Sequence, residues 1–248
     1  MVAGHPGTRI IRSGKTSLQA VRTEVRRDEG RGVPVAVTVP RLEIAILGPF
    51  QVMLDGILVT DFGSDTARAL LAYLALAPEA AHRRDALAGL LWPEVPNADA
   101  LRNLRVTLSR LRDAIRDRDA DPPFLDVTRK TIRWAGAPAG TVDAWIVRDA
   151  ISATQAHNHE DLAVCDTCAR RLQAATKLYR GDLLTGFALD SVPFEEWLVA
   201  ERESIHWAVL EALGSLAQWH ERRGELDDVI ACARRQVELE VWPQRPSR

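Results

Sequence analysis

The chain has 248 residues, of which 46% are hydrophobic and 27% charged, and a formal net charge of −2. This is the composition of a soluble globular protein with room for two modest domains, each large enough for its own core. No apolar run reaches membrane-span length, no secretory signal opens the chain, and three cysteines do not make a disulfide framework, so a cytoplasmic protein with no membrane partner is expected.

Residues 1–40 are polar, bear Arg and Gly, and keep no sustained period; they read as a disordered leader or a misassigned translation start. Structure begins near Arg41. Leu42, Ile44 and Ile46 alternate as in a strand, Gly48-Pro49 turns the chain, and Phe50–Leu54 resumes the strand pattern. Asp55-Gly56 then signals a hairpin into Ile57–Val59. Ser64 or Asp65 can cap a helix through Ala67–Leu76 that stops before Pro78, and Asp85 can cap a short helix over Ala86–Leu91, closed by Trp92-Pro93. A third helix covers residues 98–116. After Pro122-Pro123, Phe124–Thr128 and Thr131–Trp134 alternate around a basic tip, Arg129-Lys130. Small sheet, three helices and hairpin, in that order over residues 41–135, make a winged helix-turn-helix.

From Thr141 the pattern is helical to the end of the chain, residues 141–248. Helices are expected over Asp143–Ala156 and Asp161–Leu178. A long one follows over Pro193–Arg222, burying Phe194, Trp197, Leu198, Ile205, Val209, Leu213, Leu216 and Trp219 or its neighbours, and the last covers Leu226–Glu240. Helix, Gly224 turn and helix at this spacing give a tetratricopeptide (TPR)-like array, so the fold class is mainly α.

The third helix carries the most information. Leu101, Leu104, Leu108, Leu111 and Ile115 recur at three- and four-residue steps, which builds one buried stripe. Arg102, Asn103, Val106 and Arg110 fall on the opposite side, flanked by Arg105, Ser109, Arg112 and Arg116. Such a helix is shaped to enter a DNA major groove; the other reading is an ordinary amphipathic helix with a solvated Arg face. Charge does not decide between them. Residues 41–135 hold thirteen basic and thirteen acidic residues, and residues 136–248 hold twelve against eighteen. Any DNA footprint must therefore be local.

Several strings in this order resemble the SARP/AfsR-type bacterial transcriptional activators, which join an OmpR-like winged helix to a bacterial transcriptional activator domain (BTAD). They are Leu47-Gly48-Pro49-Phe50, Arg68–Leu74, Leu90-Leu91-Trp92-Pro93, Asn103–Arg112, Leu178–Phe187 and Glu195-Glu196-Trp197-Leu198. The resemblance spans roughly residues 41–243. It implies that Val106 and Arg110 face base edges, that Arg102, Thr107, Ser109 and Arg112 meet phosphates, and that Arg129, with Lys130 beside it on the wing tip, approaches the minor groove. It further implies double-stranded promoter DNA as partner, side-by-side homodimers on direct repeats, and an approach of the Trp92–Ala98 connection to RNA polymerase. Gly224-Glu225-Leu226 stands at a tetratricopeptide turn, with Val229 where a small residue is usual. Relatives continue for several more helices, so this chain reads as a truncated or frame-shifted relative or a fragment, with an incomplete array.

His157-x-His159 and Cys165-x-x-Cys168 supply the residue types and number of a closed tetrahedral zinc site, which with four protein ligands would be structural. The other reading is two small buried thiols at helical i, i+3 spacing, with the histidines exposed in a loop. No other cofactor is expected. Nor is an enzyme. Gly14-Lys15-Thr16 lacks the preceding glycine and strand of a P-loop, no nucleophile elbow occurs, and the His/Cys set lacks the glutamate of zinc deaminases. The leading reading is a sequence-specific DNA-binding activator whose helical half serves dimerisation or contact with RNA polymerase. The alternative is a protein-interaction module of a truncated regulator that no longer binds DNA effectively.

Overall fold

Alternation of buried Leu42 and Ile44 with half-buried Glu43 and Ala45 builds strand β1 (Leu42–Ala45), which pairs antiparallel with β2 (Gln51–Leu54). Asp55 and Gly56 take positive φ, 52° and 79°, and turn the chain into β3 (Ile57–Leu58). The computed structural model describes residues 41–78, 80–135, 140–157 and 165–241. The leader reading of residues 1–40, His159 and the segment after Val241 lie outside them, as do residues 161–164, where the sequence pattern places the start of the fifth helix.

Helix α1 (Asp65–Leu76) starts where Ser64 Oγ accepts the Ala67 N–H at 3.2 Å and buries an almost continuous run of alanines and leucines. Strand β4 (His82–Arg83) precedes α2 (Arg84–Leu91). Here the expectation of an Asp85 cap is corrected. Arg83 holds the cap position, and Asp85 lies inside the first turn, where its carboxylate accepts from Ala86 N at 3.0 Å and pairs with Arg83 at 2.7 Å. Helix α3 (Asn97–Ala114) buries Leu104, Leu108 and Leu111, and Ile115 at its cap is fully buried. The wing is β5 (Leu125–Val127) and β6 (Thr131–Trp134), with β4 added to its outer edge to give the order β4-β6-β5.

Strand β7 (Gly140–Val142) lies parallel to β1, Leu42 opposite Gly140, so the first sheet runs β3-β2-β1-β7. It leads directly into α4 (Asp143–Gln155), followed by α5 (Asp166–Leu178), the 32-residue α6 (Val192–Arg223) and α7 (Leu226–Val241). Ser191 caps α6, and Gly224 ends it in the left-handed region at φ 73°, the conformation that favours glycine at a helix end. The fold is mainly helical: a winged helix followed by TPR-like antiparallel helix pairs.

Val39 to Arg248 form one compact unit. The strings Leu47–Phe50 and Leu178–Phe187, some 130 residues apart, meet in it. Gly48 N donates to Asp182 O (3.0 Å), Leu184 N to Ile46 O (2.8 Å) and Thr185 N to Gly48 O (2.9 Å). Gly48 has φ 117°, and a Cβ there would lie 3.3 Å from the Arg180 Cβ, so both backbone shape and close approach call for glycine. The Asp143 carboxylate accepts from the Ile46, Leu47 and Ala144 N–H groups at 2.8–3.1 Å and from Arg180 at 3.3 Å. On the other side, Tyr73 of α1 packs edge-on against Trp197 of α6 at 4.8 Å, and Ser191 Oγ donates to Leu90 O. One buried core runs through both halves. No helix among the described residues is long and apolar enough to cross a membrane.

Candidate nucleic-acid interface

The sequence of α3 dictates which side chains leave the core. With Leu104, Leu108 and Leu111 buried, Arg102, Arg105, Val106 and Arg110 are exposed in one outward stripe; Val106 is 46% exposed. Arg105, expected at the flank, belongs to this face. Thr107 does not. At 6% exposure it lies among the buried leucines, three residues after Leu104 and four before Leu111, so its hydroxyl is withdrawn from any phosphate contact. Arg112 is engaged inward: its Nε donates at 2.6 Å to Asp117, a carboxylate with no exposure that also accepts from Leu125 N at 2.8 Å. Ser109 Oγ accepts from Arg118 at 3.0 Å. Ser109 and Arg112 are half-buried and bonded to the turn that follows the helix, whereas Thr107 is buried.

The wing tip is set by Thr128, whose Oγ1 accepts from Lys130 N (3.2 Å) and Thr131 N (2.9 Å), leaving Arg129 and Lys130 exposed. The start of α2 is tied to that tip. Arg84 N donates to Lys130 O at 2.9 Å, and its Nε donates to Thr128 O at 3.0 Å. A groove therefore opens between α2, α3 and the wing, lined by Arg83, Arg84, Arg105, Arg129 and Lys130, with Leu101 and Asp85. Burial, reinforced by the positive charge of Arg105, pulls the Arg84 guanidinium below its ordinary value. Arg84 and Arg105 escaped sequence reasoning as site residues. Arg84 comes from a different helix, and its approach to the wing is a tertiary contact; Arg105 could have been found by centring the outward stripe more accurately.

Near-neutral charge over residues 41–135 hides a sorting. Arg41, Arg68, Arg83, Arg102, Arg112, Arg118 and Arg133 each face a carboxylate at 2.6–3.0 Å. Among the described residues, no carboxylate lies within ion-pair distance of Arg84, Arg105, Arg110, Arg129 or Lys130. Of the six cations here without such a partner, five, Arg84, Arg105, Arg110, Arg129 and Lys130, line the groove or the outward stripe, and the sixth, Arg116, is exposed in the turn after α3. Arg102 is held by Asp99 at 3.0 Å, but an exposed pair of this kind is worth only about 0–1 kcal/mol and can exchange for a phosphate. Arg110 rests its stem on Gly63, where a Cβ would come within 3.1 Å of its Cδ.

Of the expected metal ligands, the structure brings His157, Cys165 and Cys168 together, in the helical half and away from this interface.

Residues 142–246 match the family model of the bacterial transcriptional activator domain. No curated protein matches the chain. Among solved structures, Mycobacterium tuberculosis EmbR in complex with a low-affinity phosphopeptide is similar, with a TM-score of 0.56 and 22% identity over 79% of this chain and 59% of that one. The likeness is one of fold, and this chain spans about three-fifths of the EmbR chain. The helical half thus carries the match to the bacterial transcriptional activator domain, and the chain, with a winged helix packed in front of that region, shares the fold of the matching part of EmbR.

Proposed function

We propose that the chain is a cytoplasmic activator that binds double-stranded promoter DNA through α3 and the wing. The observation that carries this reading is the sorting of charge: cations without carboxylate partners gather on the one surface a winged helix presents to a duplex. Arg105 and Arg110 have the planar donor fork that fits guanine edges or phosphates, and Val106 offers an apolar contact for a thymine methyl. Arg84, Arg129 and Lys130 line the route of the flanking backbone, and Arg102 joins them by exchanging Asp99 for a phosphate. The exposed Pro93-Glu94 of the connection before α3 is the surface open to RNA polymerase.

A second reading, a protein-binding module without useful DNA affinity, is favoured by α7, which leaves Leu226, Ile230 and Val237 46–65% exposed. Selection of bound fragments from random duplex DNA by the full chain, across a salt series, separates the two. An enriched motif with a steep salt slope supports the activator. Weak, sequence-blind retention overturns it.

A further inference from the structure

The corner between α4 and α5 holds a cluster that DNA binding does not use. Cys165 occupies the cap position of α5 and Cys168 its first turn, so the i, i+3 spacing sets both sulfurs on one side of the helix start. His157 follows the end of α4, whose last turn is continued by a bond from His157 N to Thr154 O. Its Nδ1 lies 3.2 Å from the Cys168 Sγ and 3.4 Å from the Cys165 Sγ, and the three donor atoms all fall within 4.8 Å of one another.

We propose that His157, Cys165 and Cys168 hold a zinc ion that fastens the end of α4 to the start of α5. The ligand edges of a tetrahedral zinc site, built from ordinary Zn–N and Zn–S bonds, are about 3.6 Å for N···S and about 3.8 Å for S···S. The two observed N···S distances already lie within a few tenths of an ångström of that edge, so the side chains need little movement to take up an ion. Two thiolates and an imidazole are soft and borderline donors, which select zinc over magnesium or calcium. The nearest carboxylate in sequence does not compete. Asp166 Oδ1 accepts from Trp219 Nε1 (3.2 Å) and Arg223 Nη1 (2.8 Å), which turns it toward α6. These three residues leave one tetrahedral position for a further ligand. The chemistry assigned here is structural: the ion replaces a thiol–imidazole contact by three covalent-strength tethers across a helix corner.

The test uses the full chain, purified under reducing conditions and loaded with Co2+ in place of zinc. The expected result is one ion per chain, with sulfur-to-cobalt charge transfer and the visible bands of a tetrahedral site. Cys165→Ser and Cys168→Ser should each weaken binding by at least tenfold and diminish the charge transfer, whereas Cys232→Ser leaves both intact. A reduced, folded chain that takes up no cobalt overturns the proposal, and needs no variant to interpret. So does a cobalt spectrum unchanged by Cys165→Ser, or a chain whose two thiols close to a disulfide while no metal is bound under reducing conditions.

Discussion

The two halves of the molecule use arginine in opposite ways. In the winged helix, Arg84, Arg105, Arg110, Arg129 and Lys130 face outward with no carboxylate among the described residues in range. In the helical half, five arginines are internal fasteners. Arg148 pairs with Glu201, Arg180 with Asp143 and Arg223 with Asp166, while Arg202 donates to the Leu183 and Leu184 carbonyls and Arg235 to the Tyr179 carbonyl. The difference teaches that net charge is a poor guide to an interface. What marks the surface is which charges the fold leaves uncompensated.

The comparison breaks most severely at its seam. Asp143→Ala removes the acceptor of the Ile46 and Leu47 N–H groups and strands Arg180, so a loss of about 3–5 kcal/mol is expected, read by urea unfolding. Because one core runs through both halves, fluorescence and circular dichroism of the unaltered chain should follow a single coincident transition. Two separate transitions would mean that the seam carries little of the stability.

Next in size is the contrast within α3. Arg105→Ala and Arg110→Ala should each weaken binding to a selected duplex by about 1–3 kcal/mol with stability held within about 0.5 kcal/mol. Each phosphate that a variant no longer neutralises should also lower the salt slope by about 0.9. Arg112→Ala should do the reverse, costing about 2 kcal/mol of stability by stripping the partner from buried Asp117. Equal behaviour of the three variants would erase the distinction between outward and inward arginines.

A smaller effect concerns pH. Burial, then the neighbouring Asp182 carboxylate, pushes the Tyr179 phenol well above its ordinary value, and burial does the same more mildly to Tyr73. A folded value above the unfolded one, about 10, means that stability is complete below about pH 10 and drains as pH rises beyond it. Phenolate absorbance should therefore lag that of the unfolded chain, which holds the same two tyrosines. Tyr179→Phe should reduce the alkaline loss while forfeiting the 2.9 Å bond to Asp182. A normal tyrosine titration in the folded protein would contradict this. The smallest effect is at Gly63, φ 70°, where Ala adds about 1–2 kcal/mol of strain and crowds the Arg110 stem; thermal melting and duplex affinity should both fall slightly.

Much of the local structure is legible in the residues. The leucine stripe of α3, the Asp55-Gly56 turn, the Ser64 cap and the Gly224 stop depend on neighbours within a few positions, so their physics is contained in short strings. Thr107 is legible too, because its spacing from Leu104 and Leu111 puts it on the buried face; analogy with relatives points the other way. The Asp85 cap fails because Arg83, entering from β4, takes that position and Asp85 pairs with it.

By itself, then, the sequence determined the order of the helices and hairpins and their apolar faces, since hydrophobic period acts over short range. Tertiary structure alone decided three things. It added β7 to β1, a three-residue strand too short to announce itself. It joined Gly48 to the Arg180–Thr185 segment, uniting the two halves in one core. And it made the ion pairs of Arg148 with Glu201, Arg180 with Asp143 and Arg223 with Asp166. Those partners lie far apart in the chain, and the few-ångström distances that Coulombic pairing needs exist only once the core has closed.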